Sequence, residues 1–267
     1  MNIADVRNSI QMMWSQGLKD AAKQLEQNAA KAGYNVGSCY TEEQLESFIT
    51  QDSDMLRLKD DVRILQGINN PVLITGETGT GKEIIARALH GSRLGRFVAI
   101  NCPALSVDLM ESELFGHVKG AFTGAIEDKI GKFQYAAMGT LFIDEIGDMP
   151  LSMQAAILRV LQEQKITRVG DNKEIEVNPR IVCATHYDLV ELIKEGRFRL
   201  DLYWRLCTFM LRTKPLRERL ADIDVMIKKW DKSKKFIVPD RVGPDEYMKG
   251  NVRELQSLIK RWNVLGR

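Results

Sequence analysis

Residues 72–83 read Val72-Leu73-Ile74-Thr75-Gly76-Glu77-Thr78-Gly79-Thr80-Gly81-Lys82-Glu83, and this stretch decides the fold. A short apolar run of strand composition feeds a glycine loop, and a helical run follows the lysine. Gly76, Gly81 and Lys82 fit the spacing GxxxxGK of a phosphate-binding loop. Glycines let the backbone curl so that its N–H groups point inward at phosphate oxygens, and the following helix adds its positive end. Lys82 supplies a point charge suited to β- and γ-phosphates. A structural glycine turn is the competing reading of the glycines alone, but strand and helix in register favour the phosphate loop. The next residue is Glu83 rather than Ser or Thr, so no hydroxyl there can ligate magnesium.

Outward from this loop, short apolar runs alternate with helical ones. Val72 to Thr75, Phe97 to Ile100, Thr140 to Ile143 and Ile181 to Ala184 are compact, as expected of strands buried on both faces. Helical stretches such as Glu83 to His90 and Gln154 to Gln162 separate them. The alternation predicts a parallel sheet sandwiched between helices over 51–216. One of these strands ends in Asp144-Glu145. Two carboxylates beside a phosphate loop suit a division of labour, Asp144 holding magnesium and Glu145 polarising an attacking water. Two acids at a strand end are also a common surface feature; pairing with the upstream loop favours the catalytic reading and points to hydrolysis.

The flanking segments differ in texture. In residues 1–50, Ile3, Val6, Ile10, Met13, Leu18, Ala21, Leu25 and Ala29 recur with the period of an amphipathic helix, and Gly33 and Gly37 break it. Thr41-Glu42-Glu43-Gln44 then starts another helix with a capping-box pattern. This segment is a regulatory or oligomerising element, or an ordinary helix packed on its neighbour. Past Pro215 the strands stop. Leu216 to Trp230 and Val252 to Val264 read as helices, so 217–267 forms a small helical appendage. Lys228 to Lys235 is a basic stretch, either a solvated linker or a face for nucleic acid.

The 267 residues are 44% hydrophobic and 28% charged, an ordinary balance for a folded soluble protein. A net charge of +2 does not announce a nucleic-acid binder. Cys39, Cys102, Cys183 and Cys207 lie far apart and suit reduced thiols in a cytoplasmic protein. His90, His117 and His186 lack metal-ligand spacing. No stretch has membrane-spanning length, and no signal peptide is recognisable.

Further motifs go beyond a generic phosphate loop. Residues 113–117 read ELFGH, 120–125 read GAFTGA, 139–150 read GTLFIDEIGDMP and 250–255 read GNVREL. In this order and spacing, with GETGTGKE at 76–83, the chain resembles the central domain of sigma-54-dependent transcriptional activators (bacterial enhancer-binding proteins). The resemblance runs from about residue 53 to 262 and is densest from Val72 to Leu220. It implies an AAA+ α/β/α fold with a helical lid and an ATPase using ATP and Mg²⁺. Gly76, Glu77, Thr78, Gly79, Thr80, Gly81, Lys82 and Glu83 would bind the nucleotide, and GKE is the family's usual form. Asn101 would hold Glu145 in check through its amide. Thr185 would be the sensor near the γ-phosphate, and Arg253 the lid sensor. Arg199 and Arg205 would be arginine fingers reaching an adjacent subunit, which implies a ring, a hexamer as in the family. Gly120, Ala121, Phe122, Thr123, Gly124 and Ala125 would form the tip of a loop inserted before the third strand. Phe122 and Thr123 there would contact sigma-54 in its RNA polymerase holoenzyme. Read without the family, a packed hairpin is the simpler account of these six residues. Val169 to Val177 resembles the second, neighbouring loop.

The chain also departs from the pattern. Only 26 residues separate Asp222-Ile223 from Gly250-Asn251, and Met248-Lys249 stand where relatives carry Trp-Pro, which implies a shortened lid. The first segment is short for a receiver domain, and no helix-turn-helix is recognisable before Arg267, so any DNA contact is expected to be indirect or weak. An activator of sigma-54 polymerase is the leading expectation. A non-activating protein that joins or inhibits activator rings, or an ATPase of the same clade with another client, are the alternatives.

Overall fold

The computed structural model describes residues 41–91, 93, 95–231, 236 and 249–265; the helical period expected from Ile3 to Ala29 and the basic run Lys232 to Lys235 lie outside them. Five strands form one parallel sheet: β1 (Val72–Thr75), β2 (Phe97–Asn101), β5 (Thr140–Asp144), β8 (Arg180–Thr185) and β9 (Phe209–Arg212), in the order β2-β5-β8-β1-β9. The first four are those legible in the sequence. β9 is an edge strand with only Leu211 buried, and Phe209-Met210-Leu211-Arg212 lacks the continuous apolar run that betrays a central strand.

Side chains alternate along each strand, so the sheet divides two cores. Leu73, Leu141, Ile143, Ile181 and Cys183 face one, shared with α4 (Val107–Phe115), α5 (Lys132–Ala136), α6 (Leu151–Glu163), α7 (Leu189–Lys194) and α8 (Leu200–Leu206). Val72, Ile74, Phe142, Val182 and Ala184 face the other, shared with α1 (Thr41–Ser47), α2 (Ser53–Leu65) and α3 (Lys82–His90). This is the three-layer arrangement expected of strands buried on both faces. Leu45 and Phe48, from the sequence's first segment, pack in the second core with Ile85 and Leu89. Of the 1–50 segment only residues 41–50 are described, and there the chain packs on its neighbour.

Arg180, fully buried at the start of β8, shows how helix ends are satisfied inside such a core. Its guanidinium donates to the Leu65 carbonyl at 2.8 Å and the Leu89 carbonyl at 2.7 Å, at the C-terminal ends of α2 and α3. Burial, with Arg93 nearby, pulls it down to about 9, and two partial negative helix ends stand in for a carboxylate.

Between α4 and α5 the chain makes an insertion, β3 (Gly116–His117) pairing antiparallel with β4 (Lys129–Ile130) around residues 118–128. A second hairpin, β6 (Lys165–Thr167) with β7 (Glu174–Glu176), follows α6. Beyond β9 comes a tight turn, Leu216–Glu218, and then α9 (Ala221–Trp230) and α10 (Asn251–Leu265). A single helix from Leu216 to Trp230 was expected. Arg219 breaks it because its buried side chain is drawn to the phosphate loop rather than along a helix axis. Ile49, Leu216, Met226, Leu255 and Ile259 make a small separate core that docks α9 and α10 beside that loop.

Candidate nucleotide-binding site

A cleft of about 520 Å³ opens at the carboxyl ends of the parallel strands, where ligands bind in open α/β sheets. Thr78, Gly79 and Gly81 to Glu83 form one wall, Asn101, Asp144 and Glu145 the floor, and His186 and Arg253 the far rim. A second cavity of about 240 Å³ shares Gly81, Ile84, Val252 and Gln256 with it and runs under Phe48 and Trp230. A polar cleft thus leads into an aliphatic and aromatic one.

The phosphate loop is held by tight contacts. Gly76 has φ 150°, and a Cβ there would lie 2.1 Å from Thr213 Oγ1, so only glycine fits between β1 and β9. Thr213 also meets the Thr80 hydroxyl at 2.7 Å. Lys82, almost fully buried, donates to the Gly76 carbonyl at 2.7 Å and the Glu77 carbonyl at 3.2 Å, and lies 3.5 Å from Glu145 Oε1. Glu83 lines the cleft, and its carboxylate pairs with Arg87 one turn on, at 2.7 Å.

Asp144 ends β5 directly opposite Asn101 on β2. Burial, reinforced by the neighbouring Glu145, raises the Asp144 carboxyl above its usual range, while Lys82 pulls the other way. Two carboxylates in one half-buried place favour an oxygen-seeking cation there. Among the described residues no cluster of three or more His, Cys, Asp or Glu could by itself cage a metal. One or two carboxylates, with the remaining positions left to phosphates and water, is the donor set that suits Mg²⁺.

Glu145 adopts left-handed backbone angles, φ 54° and ψ 55°, uncommon for a residue with a side chain. Its Oε2 accepts from the His186 backbone N–H at 3.0 Å and faces His186 Nδ1 at 2.7 Å. Asn101 lines the same cleft, but among the described residues no hydrogen bond joins it to Glu145. Thr185 is fully buried, its hydroxyl accepting from the Tyr187 N–H at 3.1 Å, so His186 rather than Thr185 lines the cleft.

The lid approaches from the other side. Asn251, fully buried at φ 52°, donates to the Thr78 carbonyl at 3.1 Å and to Glu77 at 3.2 Å, and accepts from the Leu216 N–H at 2.7 Å. Arg217 forks onto the Glu77 carboxylate at 2.7 and 2.5 Å. Arg219 donates to the Thr80 carbonyl at 3.0 Å and pairs with buried Asp222 at 3.3 Å. Arg217 and Arg219 escaped the sequence reading. Their signal, two arginines beside Leu216 and Leu220 at a domain junction, does not by spacing say which loop they reach. Arg253 lies exposed on the rim with no side-chain ion pair among the described residues.

Arg199 and Arg205 do not line this cleft. Both are exposed: Arg199 pairs with Asp201 at 2.6 Å, and Arg205 donates to the Leu161 carbonyl at 2.9 Å. The inserted loop is built from turns, with the Gly120 N–H donating to the Ala125 carbonyl at 2.9 Å and the Ala125 N–H to the Phe122 carbonyl at 3.0 Å. Phe122 is 41% exposed, its ring edge against His117 at 5.0 Å. The Val169 segment lies alongside, the Val118 N–H donating to the Val169 carbonyl at 3.1 Å. No helix among the described residues is long and apolar enough to cross a membrane.

Comparison with known proteins agrees with this geometry. The Sigma-54 interaction domain family matches residues 48–212. The DNA-binding transcriptional regulator NtrC of Azospirillum brasilense is 48% identical over 213 residues, covering 75% of this chain and 44% of that protein. The response regulator protein PilR of Pseudomonas aeruginosa is 46% identical over 220 residues, covering 78% of this chain and 49% of that one. The chain thus spans about half the length of the curated relatives it matches. The crystal structure of NtrX from Brucella abortus in complex with ADP superposes with a TM-score of 0.72 at 31% identity, over 92% of this chain and 57% of that one. The S. cerevisiae Hsp104:casein complex, at 18% identity and a TM-score of 0.59, shares the fold alone. The fold is the AAA+ P-loop α/β sheet, and the chain belongs to the family of sigma-54-dependent transcriptional activators.

Proposed function

We propose that this chain binds ATP with Mg²⁺, hydrolyses it within a ring of copies, and uses the energy to move the loop at 120–125 against sigma-54 RNA polymerase holoenzyme, promoting open-complex formation. The observation that carries this reading is the meeting of Lys82 and Glu145, 3.5 Å apart, over the phosphate loop of one cleft. The base would enter the aliphatic cavity under Phe48 and Trp230, and the phosphates would lie along residues 76–82. Lys82 would leave the Gly76 and Glu77 carbonyls for phosphate oxygens. Asp144 would hold the cation, whose chemistry is to neutralise phosphate charge. Glu145 would take the proton of the attacking water.

Arg199 and Arg205 stand clear of their own cleft, which suits fingers that complete a neighbour's site, and hexamerisation follows as in the family. Arg253, on the rim with no ion pair among the described residues, would read the phosphate state for the lid, and Thr185 would back the same region from beneath. Asn101, level with Asp144, would engage Glu145 in another state of the cycle. Polymerase as client places the chain in the cytoplasm, with DNA contacted through that partner. The test is open-complex formation on a sigma-54 promoter with purified chain and ATP. The parent is expected to open the promoter and Lys82→Ala to hydrolyse no ATP. Thr123→Ala is expected to form at least about tenfold fewer open complexes per ATP hydrolysed. ATP turnover without promoter opening, together with inhibition of a full-length activator, would favour a non-activating ring partner.

A further inference from the structure

We infer that Gln154 is a positioning residue for Arg199: its buried amide fixes the start of α8, which follows that arginine, against the turn beyond Glu145. The inference rests on the reading of Arg199 as a finger for a neighbouring copy. Gln154 lies in the first turn of α6 with no exposed surface. Its Nε2 donates to the Met149 carbonyl at 2.7 Å and the Arg197 carbonyl at 2.9 Å, and its Oε1 accepts from the Arg199 N–H at 2.8 Å. Both amide protons and the amide oxygen are thereby spent on backbone, none of it in a helix or strand. Backbone of this kind has no ladder partner, so a buried side chain is left to satisfy it.

The three backbone groups belong to two segments with different tasks. Met149 closes the turn Ile146–Asp148, directly after the Asp144 and Glu145 carboxylates of this chain's own cleft. Arg197 and Arg199 flank buried Phe198 and lead into α8. At the other end of that helix, Arg205 donates to the Leu161 carbonyl near the end of α6, at 2.9 Å. α8 is therefore tied to α6 at both ends, and α6 starts where the turn after Glu145 stops. The Arg199 backbone is held in this way while its side chain stays exposed, forked onto Asp201 at 2.6 and 3.0 Å. A finger works only where its guanidinium meets the transferred phosphate, and a misplacement of about 1 Å can cost about 100-fold in rate. Gln154 thus registers the finger lent to one copy against the cleft of the copy that lends it.

The experiment uses the full chain, alone and in mixed rings. Gln154→Met keeps the length of the side chain and removes its hydrogen bonds. It is expected to lower kcat for ATP at least about tenfold, while affinity for a fluorescent ADP analogue stays within about twofold. Rescue in trans separates positioning from damage to the fold. Glu145→Gln offers a well-placed finger beside an idle cleft, and Gln154→Met offers a working cleft beside a misplaced finger. An equimolar mixture is expected to hydrolyse ATP at least about threefold faster than the mean of the two alone. Arg199→Ala, mixed with Glu145→Gln in the same way, is expected to be rescued alike. The same rescue is expected of Gln154→Glu, which keeps the acceptor and loses the donors, so a folding failure in one variant leaves the other to decide. Normal kcat in Gln154→Met overturns the inference. So does rescue of Arg199→Ala without rescue of the folded Gln154 variants. If the parent turns over no ATP, or Arg199→Ala is either unimpaired or not rescued, the finger reading falls and takes the inference with it.

Discussion

The loops at 76–81 and 120–125 are both glycine-rich turns, yet they meet their surroundings in opposite ways. At the first, a Cβ on Gly76 would overlap Thr213, and one on Gly79 would lie 2.3 Å from the Gly250 carbonyl of the lid. At the second, nothing lies within 4 Å of a Cβ on Gly120 or Gly124. Glycine serves close approach in one loop and only left-handed backbone in the other. The phosphate loop is gripped by Thr213 just past β9, by Asn251 of α10 and by Arg217 and Arg219 between them; the inserted loop is tied chiefly to itself and to one neighbouring segment. The proposed coupling of ATP hydrolysis to movement of residues 120–125 would use this difference, a firmly held receptor and a loosely held tip.

Two substitutions test this contrast where it is largest. Gly76→Ala places a methyl 2.6 Å from the Thr213 carbonyl, a backbone atom that cannot rotate away. A destabilisation of about 3 kcal/mol is expected. Gly124→Ala meets no atom, and its φ of 105° alone opposes the methyl. About 1–2 kcal/mol is expected there. Urea midpoints of the two variants against the parent measure the difference, and equal losses would erase the contrast.

A smaller effect sharpens the side of the comparison that grips. Arg217 forks onto Glu77 and, as the main cause, holds its carboxyl below the usual carboxylate range. Both side chains are more than a third exposed, so solvent screening limits Glu77→Gln to about 1 kcal/mol or less of stability. The pH dependence has a definite sign. A carboxyl with a depressed folded-state value stabilises above its ordinary titration range and loses that contribution as pH falls through the depressed value. The gap between parent and Glu77→Gln should therefore narrow on acidification. A gap that widened in acid would mean that Arg217 is not what lowers Glu77.

How much of this was legible in the sequence follows from how local each feature is. Val72 to Lys82 carry strand, turn and helix signals in one continuous run, and the phosphate loop needs nothing from elsewhere to be recognised. Leu141 to Glu145 is likewise self-contained. The pairing of Arg217 with Glu77 spans 140 positions and that of Arg219 with Thr80 spans 139, and no periodicity encodes such contacts. The grip of His186 on Glu145 was missed for the same reason. Lys82 and Glu145 announce a site through their neighbours in the chain, whereas His186 follows an apolar strand and reads as any strand-end polar residue. β9 was overlooked because an edge strand exposes alternate residues and lacks the doubly buried run.

The smallest expected change lies at the tip of the inserted loop. Phe122 is 41% exposed, and among the described residues its ring meets that of His117 edge-on. His117 keeps its own anchor, the Ser112 hydroxyl at 2.7 Å, whether or not Phe122 is present. Phe122→Ala should therefore cost the fold no more than about 1 kcal/mol, the worth of one aromatic contact. In a domain of this size that is a fall in Tm of about 2–4 °C at most, read by thermal unfolding. Fully buried Phe133, by contrast, should cost about 3–5 kcal/mol when cut to alanine. If the two losses proved equal, residues 120–125 would be a packed hairpin that the fold depends on. If Phe122 proves nearly free, its position is explained by something other than the stability of this chain, because an aromatic side chain held in water gains nothing until a partner covers it.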